Sequence, residues 1–188
     1  DGSVGPEPTE APDIVDLMAG TGEIWPHLLA ALPRARITAI DISPQMHAHA
    51  MERLHRNRQG RITHLTANAL DADLPENTAD LLCATFGLKT FNRDQQTILA
   101  QQIARVLRPG GGFSLIEASD PKGAIIGPLY RAYLGRILPL IERLFLKGAQ
   151  DFAWIATYSR NFGDCSHMEQ ALRAAGLRVT QKSHFFGC

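Results

Sequence analysis

Apolar positions along the chain fall into short dense runs separated by longer amphipathic stretches. Ile14-Val15-Asp16-Leu17-Met18 is nearly continuous and reads as a parallel strand buried on both faces. It runs into Ala19-Gly20-Thr21-Gly22, and a helix-compatible stretch follows from about Glu23 to Leu32. Arg36 to Ile40 is the second strand, closed by Asp41. Ser43-Pro44 offers an N-cap and a proline at the first helical position, which predicts a helix to about Asn57. Strands are expected at Ile62–Thr66, Ala79–Phe86 and Gly112–Glu117, with Asp73 to Thr78 a polar turn. A helix over about Asp94–Leu107 is stopped by Arg108-Pro109-Gly110-Gly111. A last helix, Ser166 to Ala175, has Gly176 at its C-cap and leads into a sixth strand, Leu177–Phe186. Such alternation predicts an α/β, doubly wound, mostly parallel sheet, with its crevice at the carboxyl ends of the strands.

The turn after the first strand carries the candidate chemistry. Glycine permits tight reversal and close approach of a ligand to the backbone. Asp41, roughly 20 residues further on, stands where such folds grip ribose hydroxyls. A dinucleotide fingerprint needs a third small residue after G-x-G-x-x, and here that position is Trp25, followed by Pro26. An indole there argues against a pyrophosphate on the helix start, and so against a dehydrogenase. An adenosine ligand without phosphates tolerates it, which makes S-adenosylmethionine (SAM) the candidate.

Composition narrows the rest. The 188 residues fit one domain, with a mobile Gly/Pro/Glu-rich tail over 1–12 and a single domain over 13–188. Zero formal net charge gives no support to a nucleic-acid partner. Cys83, Cys165 and Cys188 are scattered, so neither a disulfide framework nor a zinc site is suggested, and a reducing cytoplasm is expected. Cys83 reads as a small core residue. His47, His49 and His55 share a helix without acidic partners, and no metal is expected. Residues 124–147 form an insertion in which Tyr130, Tyr133, Leu134, Ile137, Leu138, Ile141, Leu144 and Phe145 recur at helical spacing, with a kink at Pro139. Arg131, Arg136, Glu142 and Arg143 interrupt it, so it does not span a membrane. A lid over a hydrophobic acceptor, a core or homodimer-packing helix, and shallow contact with a membrane surface all stay open for it.

Taken together, these motifs resemble class I SAM-dependent methyltransferases, and more narrowly the ubiquinone/menaquinone biosynthesis C-methyltransferase family. The residues that carry the resemblance are DLMAGTGE at 16–23, AIDISPQM at 39–46, ANALDADLPENTAD at 67–80, FGLK at 86–89, RVLRPGG at 105–111, LIEASDP at 115–121 and IGPLYRAY at 126–133. The resemblance implies a seven-stranded-type Rossmann-like sheet with a helical insertion after strand five. This sequence ends at Cys188, about where a last antiparallel strand would begin. It also implies SAM as methyl donor and S-adenosylhomocysteine (SAH) as product, with a small hydrophobic or aromatic acceptor. Ala19, Gly20, Thr21 and Gly22 would then sit against the methionine and ribose, and Asp16 would hold the loop or the amino group. Asp41 would accept both ribose hydroxyls, Ile42 and Met46 would pack the adenine face, and Asn68 and Ala69 would meet the adenine edge. Phe86 would line the path to the methyl group, and Lys89, Tyr133, Tyr158 and Arg160 would face the acceptor.

The chain also departs from the family pattern. Lys89-Thr90 stands where the family commonly has Arg-Asn, and Gly163-Asp164-Cys165 where it has Pro-Asp-Gln. The acceptor therefore stays open between a quinone precursor methylated at carbon and a natural product methylated at oxygen or nitrogen, and a SAM-fold binding protein without turnover is a third reading. Tyr158, His27, His184, or a water held by Lys89 or Arg160, are the candidate bases, and none is assigned.

Overall fold

A computed structural model of the chain describes residues 11–54, 60–118, 126–137, 157–159 and 161–183. The chain divides into two compact units, Asp1–Thr85 with Gln102–Leu115, and Phe86–Gln101 with Ile116–Cys188. In chain order the elements are β1 (Asp13–Leu17), α1 (Trp25–Ala31), β2 (Arg36–Asp41), α2 (Pro44–Leu54), β3 (Ile62–Thr66), β4 (Ala79–Thr85), α3 (Arg93–Val106), β5 (Leu107–Ile116), α4 (Ile126–Ala132) and α5 (Ser166–Ala174).

The five strands make one sheet in the order β3-β2-β1-β4-β5. The pairs β1–β2, β1–β4 and β2–β3 are all parallel. The chain winds outward from β1 to β3, then returns to the other side of β1 with β4. That reversal is the topological switch point, where a crevice opens beyond the strand ends. Strand β1 is buried on both faces, as its apolar run requires, whereas β3 at the edge alternates half-buried and exposed positions.

Alternation along the strands sets what each face buries. On one face Ile14, Ile37, Ala39 and Cys83 meet Trp25 and Leu29 of α1 and Ala50 of α2. Asp16 follows Ile14 by two and so falls on this same face, directly beside Cys83 in the register. The Ser43 cap forms as the sequence requires, its Oγ accepting the Met46 amide at 3.3 Å.

Asn92 and Gln95 form a reciprocal capping box at the start of α3: Asn92 Oδ1 accepts the Gln95 amide and Gln95 Oε1 accepts the Asn92 amide, both at 2.9 Å. In the second unit the buried Gln96 joins α3 to α5 through His167 Nδ1, 3.2 Å from its Oε1. Gly176 sits beyond α5 with φ +88°, the left-handed stop its position predicts.

Three expectations change. Strand β5 begins at Leu107 rather than Gly112, so the Arg108-Pro109-Gly110-Gly111 stretch both ends the helix and opens the strand. A Cβ on Gly111 would lie 3.1 Å from the Ala79 carbonyl oxygen, so its bareness lets two backbones meet. Residues 177–183 carry no strand, although exposure alternates from Leu177 to Thr180, and residues 184–186 lie outside the described set. Alternation alone makes no strand without a neighbour to complete the ladder. In the insertion, α4 stops at Ala132 and continues as a π-helical turn, Tyr133–Ile137; the kink at Pro139 lies outside the described residues. Leu129, Tyr133 and Ile137 are exposed on it.

Ile40 is fully buried in β2. Ile40→Ala is expected to destabilise the protein by about 2–5 kcal/mol in urea unfolding. A loss below about 1 kcal/mol would mean that the sheet is not packed there as described.

Candidate functional site

The site in the first unit is built where β1 and β2 end. The backbone enters the left-handed region at Met18 (φ +56°), Gly20 (φ +55°) and Gly22 (φ +71°). Glycine tolerates this conformation freely, whereas at Met18 it costs roughly 1–2 kcal/mol, so the turn must be held by its surroundings. The Ala19 amide donates to the Ile40 carbonyl at 2.9 Å and the Gly22 amide to the Ala19 carbonyl at 2.9 Å. The Gly20 amide donates to Asp41 Oδ2 at 2.7 Å. A Cβ on Gly20 would meet nothing within 4 Å, so that side of the turn is open to a ligand.

Gly22 is constrained from below. A Cβ there would lie 2.3 Å from Cε3 of Trp25. The indole is fully buried, packed under the turn within the core. This corrects the sequence reading of Trp25: its ring is buried in the core rather than standing at the helix start in a ligand's way, so it does not argue against a pyrophosphate. The ring turns inward because the preceding glycine leaves room for it and because Asp16 offers its N–H an acceptor.

Asp16 has no solvent exposure. Its Oδ2 accepts the Trp25 Nε1–H at 2.7 Å and its Oδ1 accepts the Cys83 thiol at 3.3 Å. Burial pushes its carboxyl up to about 6, against the lowering effect of the two donors, and the nearby Asp41 charge adds to the rise. Burial, then the neighbouring Asp16 charge, pushes the Cys83 thiol well above the ordinary range. Asp16 thus ties β1 to the Trp25 indole of α1 and the Cys83 thiol of β4. Cys83 is a core residue as read from sequence, with the added part of a donor to Asp16.

Asp41 is half-buried, and Oδ1 accepts the Ser43 amide at 2.8 Å. Each of its oxygens takes one backbone donor and keeps a second lone-pair direction for a hydroxyl. Beside it, Ile42 is 70% and Met46 44% exposed, so neither is a core residue. Asn68 Oδ1 accepts the Leu70 amide at 3.1 Å. A backbone donor there fixes the amide orientation, so Asn68 offers a ligand edge its NH2 group rather than its oxygen. Ala69 is buried beside it. Thr21 Oγ1 donates to Glu23 at 3.2 Å. An open glycine turn, a two-acceptor carboxylate and two exposed apolar side chains suit a nucleoside: hydroxyls on Asp41 and a flat base on Ile42 and Met46.

The second unit holds the other named residues. Phe86 lies at φ +60° and is 60% exposed, an unusual backbone for a bulky residue. Its amide donates to the Ile116 carbonyl at 2.8 Å, which anchors it. Lys89 Nζ donates to Glu117 Oε1 at 2.8 Å and to the Phe86 carbonyl at 2.9 Å. Glu117 Oε2 accepts the Lys89 amide at 3.0 Å, and Oε1 also accepts the Ala118 amide at 2.8 Å. The two side chains are 14% and 0% exposed, so this is a buried ion pair. Sequence reasoning missed Glu117, although an acid just past β5 repeats the placement of Asp41 at the end of β2. Tyr133 is exposed and Tyr158 half-buried, and Arg160 and His184 lie outside the described residues. His27 is exposed on α1. Among the described residues no three His, Cys, Asp or Glu side chains group to hold a metal, and no helix is long and apolar enough to cross a membrane.

Sheet order and glycine turn are those of a doubly wound nucleotide-type fold, and the family and solved structures it matches place it among class I SAM-dependent methyltransferases. Phosphoethanolamine N-methyltransferase 2 of Haemonchus contortus, solved with S-adenosyl-L-methionine, matches 92% of this chain and 34% of its own, at TM-score 0.65 and 17% identity. The profile of the ubiE/COQ5 methyltransferase family matches residues 5–188, and the chain belongs to that family. It is 35% identical over 136 residues to the ubiquinone/menaquinone biosynthesis C-methyltransferase UbiE of Syntrophotalea carbinolica, covering 72% of this chain and 56% of the relative. It is 30% identical over 175 residues to the demethylmenaquinone methyltransferase of Bacillus licheniformis, covering 92% of this chain and 73% of the relative. The chain thus spans just over half the length of the first of these relatives.

Two predictions follow from the buried charges. The folded-state pKa of Asp16 lies above its unfolded value of 3.8, so its proton favours folding. That contribution is complete below about pH 4 and is lost as pH rises through about 6. Asp16→Asn should therefore gain about 3 kcal/mol relative to the natural chain between pH 4 and pH 7.5, read by urea unfolding at both pH values. Lys89→Met strands Glu117 without its cation and should destabilise by about 3–5 kcal/mol at pH 7.5, with most of that loss recovered in Lys89→Met/Glu117→Leu.

Proposed function

We propose that the first unit binds SAM and that the chain transfers its methyl group to a small hydrophobic or aromatic acceptor, in the sharpest form to a carbon of a quinone precursor. The observation that carries the reading is the end of β2, where Asp41 ties down the glycine turn through Gly20 and keeps an acceptor direction free on each oxygen. In this reading Asp41 takes both ribose hydroxyls, and Ile42 and Met46 cover the adenine. The Asn68 amide and Ala69 border its edge, and Ala19, Gly20, Thr21 and Gly22 lie along the methionine and ribose. Family membership and the activities named for the relatives support methyl transfer and a quinone-type acceptor.

SAM supplies a methyl group on a positively charged sulfur that is already a good leaving group. The protein's task is then alignment and exclusion of water rather than activation. For a carbon acceptor, transfer would leave SAH as the thioether product, and the ring carbon's proton would pass to a base or a water. On the acceptor side, Phe86 presents an exposed ring, and Lys89, held by Glu117 and the Phe86 carbonyl, keeps a cation next to it. Tyr133, Tyr158 and Arg160 complete the acceptor side in this reading, and Leu129 of α4 with Ile137 of the π-helical turn, both exposed, cover a hydrophobic molecule. The free thiols of Cys83 and Cys165 suit action in a reducing cytoplasm.

The test is calorimetric titration with SAH of the natural chain and of Asp41→Ala. Loss of two charge-assisted hydrogen bonds should weaken binding by on the order of 2–4 kcal/mol. Equal affinity in both would overturn the placement of the nucleoside. Labelled methyl transfer to a demethylated quinol, set against phenol and amine acceptors, then reads the acceptor class.

A further inference from the structure

Trp25 does something at the turn that a smaller or purely apolar residue would not. One face of the indole lies under Gly22, closer than any Cβ there would permit. Its N–H reaches back to Asp16, two residues before the strained Met18, at 2.7 Å. The segment from Asp16 to Gly22 is therefore fixed at both ends by one side chain. His64 of β3 also meets the ring, in a T-shaped contact at 5.0 Å, and His47 of α2 packs on His64 at 4.0 Å. The indole is thus wedged between the turn and the edge strand.

We propose that Trp25 is a positioning residue for the cofactor turn, holding the Asp16–Gly22 backbone in its ligand-accepting shape through its bond to Asp16 and its packing under Gly22. The proposal rests on the reading of this turn as the SAM site. A phenylalanine would supply most of the packing, but only the indole supplies a donor to the buried carboxylate. Without it, the side-chain donor left to Asp16 among the described residues is the thiol of Cys83, a weak one. An unheld carboxylate and a left-handed Met18 leave the turn free to relax, and the ligand must then order it on binding.

The groups acting on the Asp16 charge are Trp25 from α1, Cys83 from β4 and Asp41 from β2; His64 and His47 face the ring rather than the carboxylate. The indole bond favours the charged form and burial opposes it. Removing the bond should therefore let Asp16 take up its proton at higher pH.

The experiment compares the natural chain with Trp25→Phe in two readouts. The first is SAH affinity from pH 5 to pH 8. The second is hydrogen exchange at the amides of residues 19–22 without ligand. The proposal expects at least tenfold weaker SAH binding at pH 7.5 and exchange at least tenfold faster. If the natural chain binds SAH and Trp25→Phe binds within twofold of it at every pH, the proposal is overturned. If the natural chain binds no SAH, the reading of the site fails by itself, and exchange alone judges Trp25: unchanged rates overturn its positioning role, tenfold faster rates uphold it. Should Trp25→Phe fail to fold, the bond is cut from its other end. Asp16→Leu should speed exchange as much, while Asp16→Asn, which keeps an acceptor for the indole, should leave it at the natural rate. Equal rates in these two variants would overturn the proposal.

Discussion

A carboxylate without solvent, Asp16, sits on the central strand among Ile14, Trp25 and Cys83, and the arrangement of the first unit depends on how it is satisfied. A charge in such surroundings is costly unless donors meet it. Trp25 and Cys83 come from the next helix and the neighbouring strand, so satisfying one acid locks β1, α1 and β4 together. The same demand draws the indole inward, and the inward indole is what Gly22 has to accommodate. Asp41 then does for the upper side of the turn what Asp16 does for the lower, tying Gly20 to the end of β2. Two acids at two strand ends therefore shape a loop that apolar packing alone would leave unspecified.

Much of this was legible in the sequence because it is local. A nearly continuous apolar run specifies a strand buried on both faces, and a glycine pair after it specifies a reversal. Ser43-Pro44 specifies a helix start, and an acid closing the second strand marks the crevice of a parallel sheet. What was not legible depends on where side chains go once the fold closes. Trp25 was misjudged because its position in a motif says where its backbone is, not that a buried acid draws its ring into the core. Glu117 was missed because its partner, Lys89, lies 28 residues away and no short motif links them. The sixth strand was expected from alternation, yet pairing makes a strand, and residues 177–183 lack it.

The second unit repeats the logic with an ion pair. Lys89 and Glu117 are almost wholly withdrawn from water, and each is further bound by backbone groups. Such a pair holds its geometry well because neither charge can leave without stranding the other. Next to it Phe86 is kept in a left-handed conformation with its ring exposed, anchored by its amide to Ile116. A left-handed backbone at a bulky, exposed residue is costly and persists only where its surroundings hold it. The replacement of an arginine-asparagine pair by Lys89-Thr90 falls in this same cluster. If the proposed acceptor side is right, a difference in acceptor between this chain and its relatives arises here rather than at the glycine turn.

The central claim is that the ends of β1 and β2 form a preshaped nucleoside site. Amide chemical-shift mapping with SAH on the isotope-labelled chain tests it most directly. The account predicts that the largest shifts cluster at Ala19–Gly22, Asp41–Ser43 and Asn68–Ala69, with the β3 edge and α5 unmoved. Saturable shifts centred elsewhere, or none at millimolar SAH, would contradict it.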